Sequence, residues 1–106
     1  LELAAPANLA DAKAIAAQLR EGGEAGLPGL RAIGLELPAR GGVAQVSMNI
    51  EDHRSLPLAD VVAAVNERAA VGEAELVGLA PRAAFDGWPD QLICRNRATL
   101  EDALGF

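Results

Sequence analysis

Aromatic side chains are nearly missing from this sequence: two Phe, one Trp and no Tyr amount to 3% of 106 residues. A core must therefore be assembled from Ala, Val, Leu and Ile. Such a core lets helices approach a sheet closely but buries little area per residue. The single cysteine, Cys94, excludes an internal disulfide and suits a reducing cytoplasm. One Cys and one His are too few for an ordinary zinc site. Lysine occurs once, at Lys13, and the eight Arg are scattered singly along the chain. Against 15 acidic residues they leave a net charge of −6, so nothing supplies the cationic stripe that nucleic-acid binding requires. No apolar run approaches the ~20 residues that span a bilayer, and no signal-peptide pattern opens the chain. Leu1, standing where a Met would begin a gene product, reads as the start of a processed or excised piece.

What is present describes a folded domain. Hydrophobic residues make up 51% and charged residues 23%, and the length is that of one ordinary domain. Leu1-Glu2-Leu3 alternates as the end of a strand would, and Ala5-Pro6 breaks it. Asn8 is a helix cap, with Asp11 favourably placed in the first turn. Leu9, Ala12, Ile15, Ala16 and Leu19 then recur at helical spacing, which predicts a helix from Leu9 to Glu21. Gly22-Gly23 stops it. After the loop Gly26-Leu27-Pro28-Gly29, the runs Leu30 to Leu37 and Val43 to Ile50 alternate with period two, and the Gly-rich turn between them predicts a hairpin.

A second helix is predicted to start near Pro57, capped by Ser55, with Leu58, Val61, Val62, Val65 and Ala69 as its apolar stripe and Gly72 as its stop. Glu73 to Leu79 reads as a fourth strand and Arg82 to Asp86 as one helical turn. Thr99-Leu100-Glu101-Asp102 has the spacing of a capping box, so a short last helix is expected. The order β-α-β-β-α-β defines an α+β, ferredoxin-like fold: a four-stranded antiparallel sheet with two helices on one face and a short C-terminal helix. One sheet face is left uncovered.

Away from its aliphatic row, the third strand presents Gln45, Ser47 and Asn49, three neutral groups able to donate and accept hydrogen bonds. Such a row suits another surface or a polar heterocycle. Catalytic groups are scarce. His53 lies beside Asp52 in a connecting segment, a poor arrangement for orienting an imidazole. Ser47 and Ser55 lack a nucleophile-elbow context, Cys94 follows Leu92-Ile93 and reads as buried, and the Gly22–Gly29 loop lacks the Lys-Ser/Thr ending of a P-loop. The residues alone describe a ferredoxin-like domain without a complete active site. It is open to a small-ligand-binding or dimerisation role as well as an enzymatic one.

Three strings, Gly26-Leu27-Pro28-Gly29-Leu30-Arg31-Ala32-Ile33-Gly34, Val43-Ala44-Gln45-Val46-Ser47-Met48-Asn49-Ile50 and Glu75-Leu76-Val77-Gly78-Leu79-Ala80-Pro81, resemble the glutamate formiminotransferase family. Their order and spacing are similar to those of its C-terminal subdomain. Ala12 to Ala16 and Leu1 to Leu3 resemble that family's first helix and the strand before it. The similarity covers roughly residues 1–85, leaving 86–106 as a C-terminal extension.

The resemblance implies transfer of the formimino group of N-formimino-L-glutamate to N5 of tetrahydrofolate, in histidine breakdown. Folate would lie in a groove between two ferredoxin-like subdomains of a cytoplasmic enzyme that tends to dimerise. By the same resemblance the Pro-Gly loop supplies folate-binding residues: Gly29 for close backbone approach, Leu30, and Arg31 for a carboxylate of the folate tail. Gln45, Ser47 and Asn49 are the further groove-lining candidates. The family's catalytic His belongs to the N-terminal subdomain, which would be the partner of this chain. His53 occupies no matching position, so no catalytic residue and no metal ligand is assigned here.

Overall fold

The computed structural model describes residues 1–77 and 80–97. The elements run β1 (Glu2–Leu3), α1 (Leu9–Leu19), β2 (Leu30–Leu37), β3 (Val43–Ile50), α2 (Leu58–Asn66), β4 (Val71–Glu75) and β5 (Cys94–Arg95), with 3-10 turns at Pro38–Arg40 and Arg82–Phe85. The sheet order is β2-β3-β1-β4-β5. The first four strands are antiparallel neighbours in the ferredoxin-like arrangement, and β5 adds a parallel edge beside β4.

The sheet thus has five strands and is mixed, where the sequence predicts four antiparallel ones. A two-residue strand is too short to show a period, so β5 carries no sequence signal. Its cause is visible in the backbone: the N–H groups of Ala74 and Leu76 need acceptors and find them in Ile93 O (2.8 Å) and Arg95 O (2.9 Å). The expected helix at Thr99–Asp102 lies outside the described residues.

Helix α1 begins with a reciprocal capping box. The Asp11 N–H donates to Asn8 Oδ1 at 3.1 Å, and the Asn8 N–H donates to Asp11 Oδ2 at 2.9 Å. Replacing Asn8 with Ala is expected to cost about 1 kcal/mol in urea denaturation, since one orphan donor loses its acceptor. The helix ends at Leu19, two residues short of the sequence reading, because Arg20 is already extended.

The second helix differs more. Pro57 is its extended N-cap, and Ser55 does not cap it: the Ser55 hydroxyl donates to Asp52 Oδ2 at 3.2 Å. It closes at Asn66, whose side-chain oxygen accepts the Val71 N–H at 3.1 Å and so starts β4. Gly72 consequently lies inside β4 rather than ending the helix, and that strand spans Val71–Glu75 instead of Glu73–Leu79.

Both helices cover one sheet face. Ala12, Ile15, Ala16 and Leu19 of α1 and Val61 and Val65 of α2 pack with Leu3, Leu30, Ala32, Ala44 and Val46 in one core. Because side chains alternate along a strand, β2 turns its small residues to α1. A Cβ built on Gly34 would lie 2.4 Å from the backbone N of Lys13, so only glycine admits this helix–sheet distance. The larger row of β2 therefore points to the other face. Among the described residues, no helix is long and apolar enough to cross a membrane.

Candidate functional site

The sheet face away from the helices, uncovered among the described residues, can be read strand by strand from the register. Arg31 stands opposite Asn49, Ile33 opposite Ser47, Leu35 opposite Gln45 and Leu37 opposite Val43. Gln45 is in turn paired with Glu2, and Glu2 with Glu73. Directly paired residues share a face, so the surface carries three zones. An aliphatic strip of Ile33, Leu35, Leu37 and Val43 borders the row Gln45, Ser47 and Asn49. Beyond that row lies a charged zone built on Glu2. Ile33 is 57% exposed, which is unusual for isoleucine in a strand.

The charged zone has no counterpart in the sequence reading. Glu2 is a buried carboxylate, its side chain only 4% exposed, and two arginines from distant parts of the chain hold it. Arg40, in the turn after β2, donates from Nε to Glu2 Oε1 at 2.9 Å and from Nη2 to Glu73 Oε2 at 2.7 Å. Arg95 of β5 pairs with Glu2 through Nη2, with Glu73 at 3.2 Å and with Glu75 at 3.8 Å. The Asn96 amide donates to Glu75 Oε2 at 2.9 Å. Three strands and a turn are thus tied through three carboxylates and two guanidinium groups. An acid at every second position of β4, Glu73 and Glu75, was the one available signal, and it pointed to the correct face.

The residues assigned by resemblance divide sharply. Gln45 and Ser47 are half-buried and Asn49 exposed, all three on the uncovered face. Arg31 shares that face at its rim, where its Nε donates to Glu51 Oε1 at 3.1 Å. Leu30 does not: it is 1% exposed and belongs to the core under the helices. Its backbone is also engaged, the N–H with Leu27 O and the carbonyl with the Glu21 N–H. Gly29 has φ +77°, a conformation that favours glycine whatever the space around it. Its N–H donates to Glu21 Oε2 at 2.7 Å and its carbonyl accepts from the Glu51 N–H at 3.0 Å. Gly29 and Leu30 therefore shape the bend that places Arg31.

Asp52 is occupied by its own loop. The Arg54 N–H at 2.9 Å is the main cause holding its carboxyl below the usual range, with the Ser55 hydroxyl adding to it. It is not arranged to orient His53, which lies half-buried in the same connection. Cys94 is half-buried on the helix side of β5, and burial pushes its thiol pKa up, which makes it a poor nucleophile near neutrality.

No curated protein matches the chain. The family model for the formiminotransferase domain matches residues 3–99, which takes in all the strands and helices described above apart from Glu2 at the edge of β1. An alternating sheet whose second face is bare among the described residues, bent at one rim by a Pro-Gly loop, is what that match runs through, and the chain belongs to the formiminotransferase domain family.

Proposed function

We propose that the chain is the C-terminal subdomain of a cytoplasmic glutamate formimidoyltransferase and forms one wall of its folate groove. The ferredoxin-like unit is residues 1–85, and 86–106 is its C-terminal extension. The observation that carries this reading is the zoning of the uncovered face. A pteridine is flat, with apolar faces and a hydrogen-bonding edge. The strip Ile33, Leu35 and Leu37 offers the first surface a stacking partner, and Gln45, Ser47 and Asn49 offer the second both donors and acceptors. Arg31, paired among the described residues with an exposed Glu51, can exchange that partner for a carboxylate of the folate glutamate tail.

The transfer forms a bond from N5 of tetrahydrofolate to the formimino carbon and breaks the bond from that carbon to the glutamate nitrogen. This wall orients the pteridine and keeps water out. The group that handles protons belongs to the N-terminal subdomain, the principal partner. N-formimino-L-glutamate binds between the two, and the complete enzyme forms a homodimer.

Titrating the isotope-labelled chain with tetrahydrofolate tests the reading by amide shifts. Weak binding is expected, with shifts at Arg31, Ile33, Gln45, Ser47 and Asn49, and Ser47→Tyr should weaken it about tenfold by blocking the strip. Shifts confined to the helix side would end the proposal. The exposure of Ile33 also favours a second reading, a ligand-binding or dimerisation module without catalytic activity. Sedimentation with and without tetrahydrofolate separates the two, since a purely structural dimer ignores the folate.

A further inference from the structure

The segment from Asp86 to Arg97 is attached to the domain in an unusual way. Its strand, β5, is two residues long and shares only a short ladder with the β4 edge, which includes the bonds from the Ala74 and Leu76 N–H groups. Its apolar anchoring is poor: Ile93 is 64% exposed. Between the segment and α2 runs an open cleft of about 350 Å³ lined by Val62, Asn66, Val71, Pro89 and Leu92, so the two do not close-pack. Apart from Trp88 and the Arg97 guanidinium, which both rest on the Phe85 ring, what holds the segment is charge. Arg95 reaches Glu2, Glu73 and Glu75, and the Asn96 amide reaches Glu75.

We propose that residues 86–97 form a detachable strap along the β4 edge, locked by Arg95, whose guanidinium covers Glu2 at the carboxylate end of the other sheet face, and that the strap opens while the rest of the domain stays folded. Elements with few buried apolar contacts and a short ladder open at lower free energy than the core. When the strap is closed, Glu2 is covered and the acid zone is nearly balanced, three carboxylates against two arginines. When it opens, Glu2, Glu73 and Glu75 keep only Arg40, and that end of the face becomes anionic and accessible. Opening separates opposite charges, so added salt favours it. The strap is independent of the folate reading, because it concerns β4 and β5 rather than the strip on β2 and β3.

Trp88, the one tryptophan, lies in the strap, edge-to-face with Phe85 at 5.4 Å and donating from Nε1 to Leu92 O at 2.9 Å. Its fluorescence therefore reports the strap while amide exchange reports its hydrogen bonds. Between about 20 and 500 mM NaCl the Debye length falls from roughly 20 to about 4 Å. Over that range the Ala74 and Leu76 amides are expected to exchange on the order of tenfold faster, with no change along α1 or the β2–β3 ladder. Trp88 emission should shift to longer wavelength in parallel. R95M should show the same local signature already at low salt. Ala74 and Leu76 amides as slow as the ladder and indifferent to salt would overturn the strap, as would R95M accelerating all amides equally. The salt series on the unaltered chain decides the matter by itself if R95M does not fold.

Discussion

Gly34→Ala is expected to destabilise the domain by about 3 kcal/mol or more, although one methyl group is all that is added. In most places the change from glycine to alanine stabilises by about 0.4–1 kcal/mol, because the unfolded chain loses freedom. Here that gain is outweighed. The new Cβ would stand 2.4 Å from Lys13 N and 2.6 Å from the Ala12 carbonyl carbon, both backbone atoms of α1 that no rotamer change can move. Relief requires lifting the helix from the sheet and opening the contacts of Ala12, Ile15 and Ala16. Gly72→Ala is the control, since its Cβ would meet Ala4 at an ordinary 3.6 Å. Urea midpoints of both variants decide the point: equal midpoints would show that α1 is not seated as described.

Glu2→Gln carries the second large effect, about 2–4 kcal/mol of lost stability. The chain bears a net charge of −6, so neutralising an ordinary surface acid should be neutral or mildly favourable. Glu2 should go the other way. Its carboxylate is buried, accepts from Arg40 and pairs with Arg95, and the amide would turn a donor toward one guanidinium. The figure lies below that for a wholly buried pair because both arginines keep contact with water and with Glu73. Glu73→Gln should cost less, its side chain being 26% exposed. A Glu2→Gln midpoint indistinguishable from the parent would mean that the cluster contributes nothing to the fold.

These two residues mark where the sequence was readable and where it was not. The strands Leu30–Leu37 and Val43–Ile50 were legible to the residue because eight-residue alternation is a strong periodic signal. Asn8 and Asp11 announced the start of α1 for the same local reason. The end of α2 was not legible. The helix stops at Asn66, whose side chain accepts the N–H of Val71, five residues on, and an apolar stripe continuing through Ala69 masks that bond. β5 and the cluster around Glu2 were hidden for a different cause. Arg40 and Arg95 lie 38 and 93 positions from Glu2 in the chain, and no period links them. In the candidate site, the shared face of Gln45, Ser47 and Asn49 was legible by alternation, whereas the place of Leu30 depends on which side of β2 the helix takes. That side is set by Gly34, an isolated glycine that reads in sequence only as a weak strand position.

The close seating of α1 on alanine and glycine has a thermodynamic consequence. Ala12, Ala16, Ala32 and Ala44 bring little hydrocarbon to the core, and melting therefore wets little of it. Heat capacity rises with newly wetted apolar area, and denaturant sensitivity rises with total newly wetted area. Both increments should fall at the low end for a chain of this length. The resulting stability curve is shallow: warming and cooling erode the native state gently, and the melting transition is broad instead of abrupt.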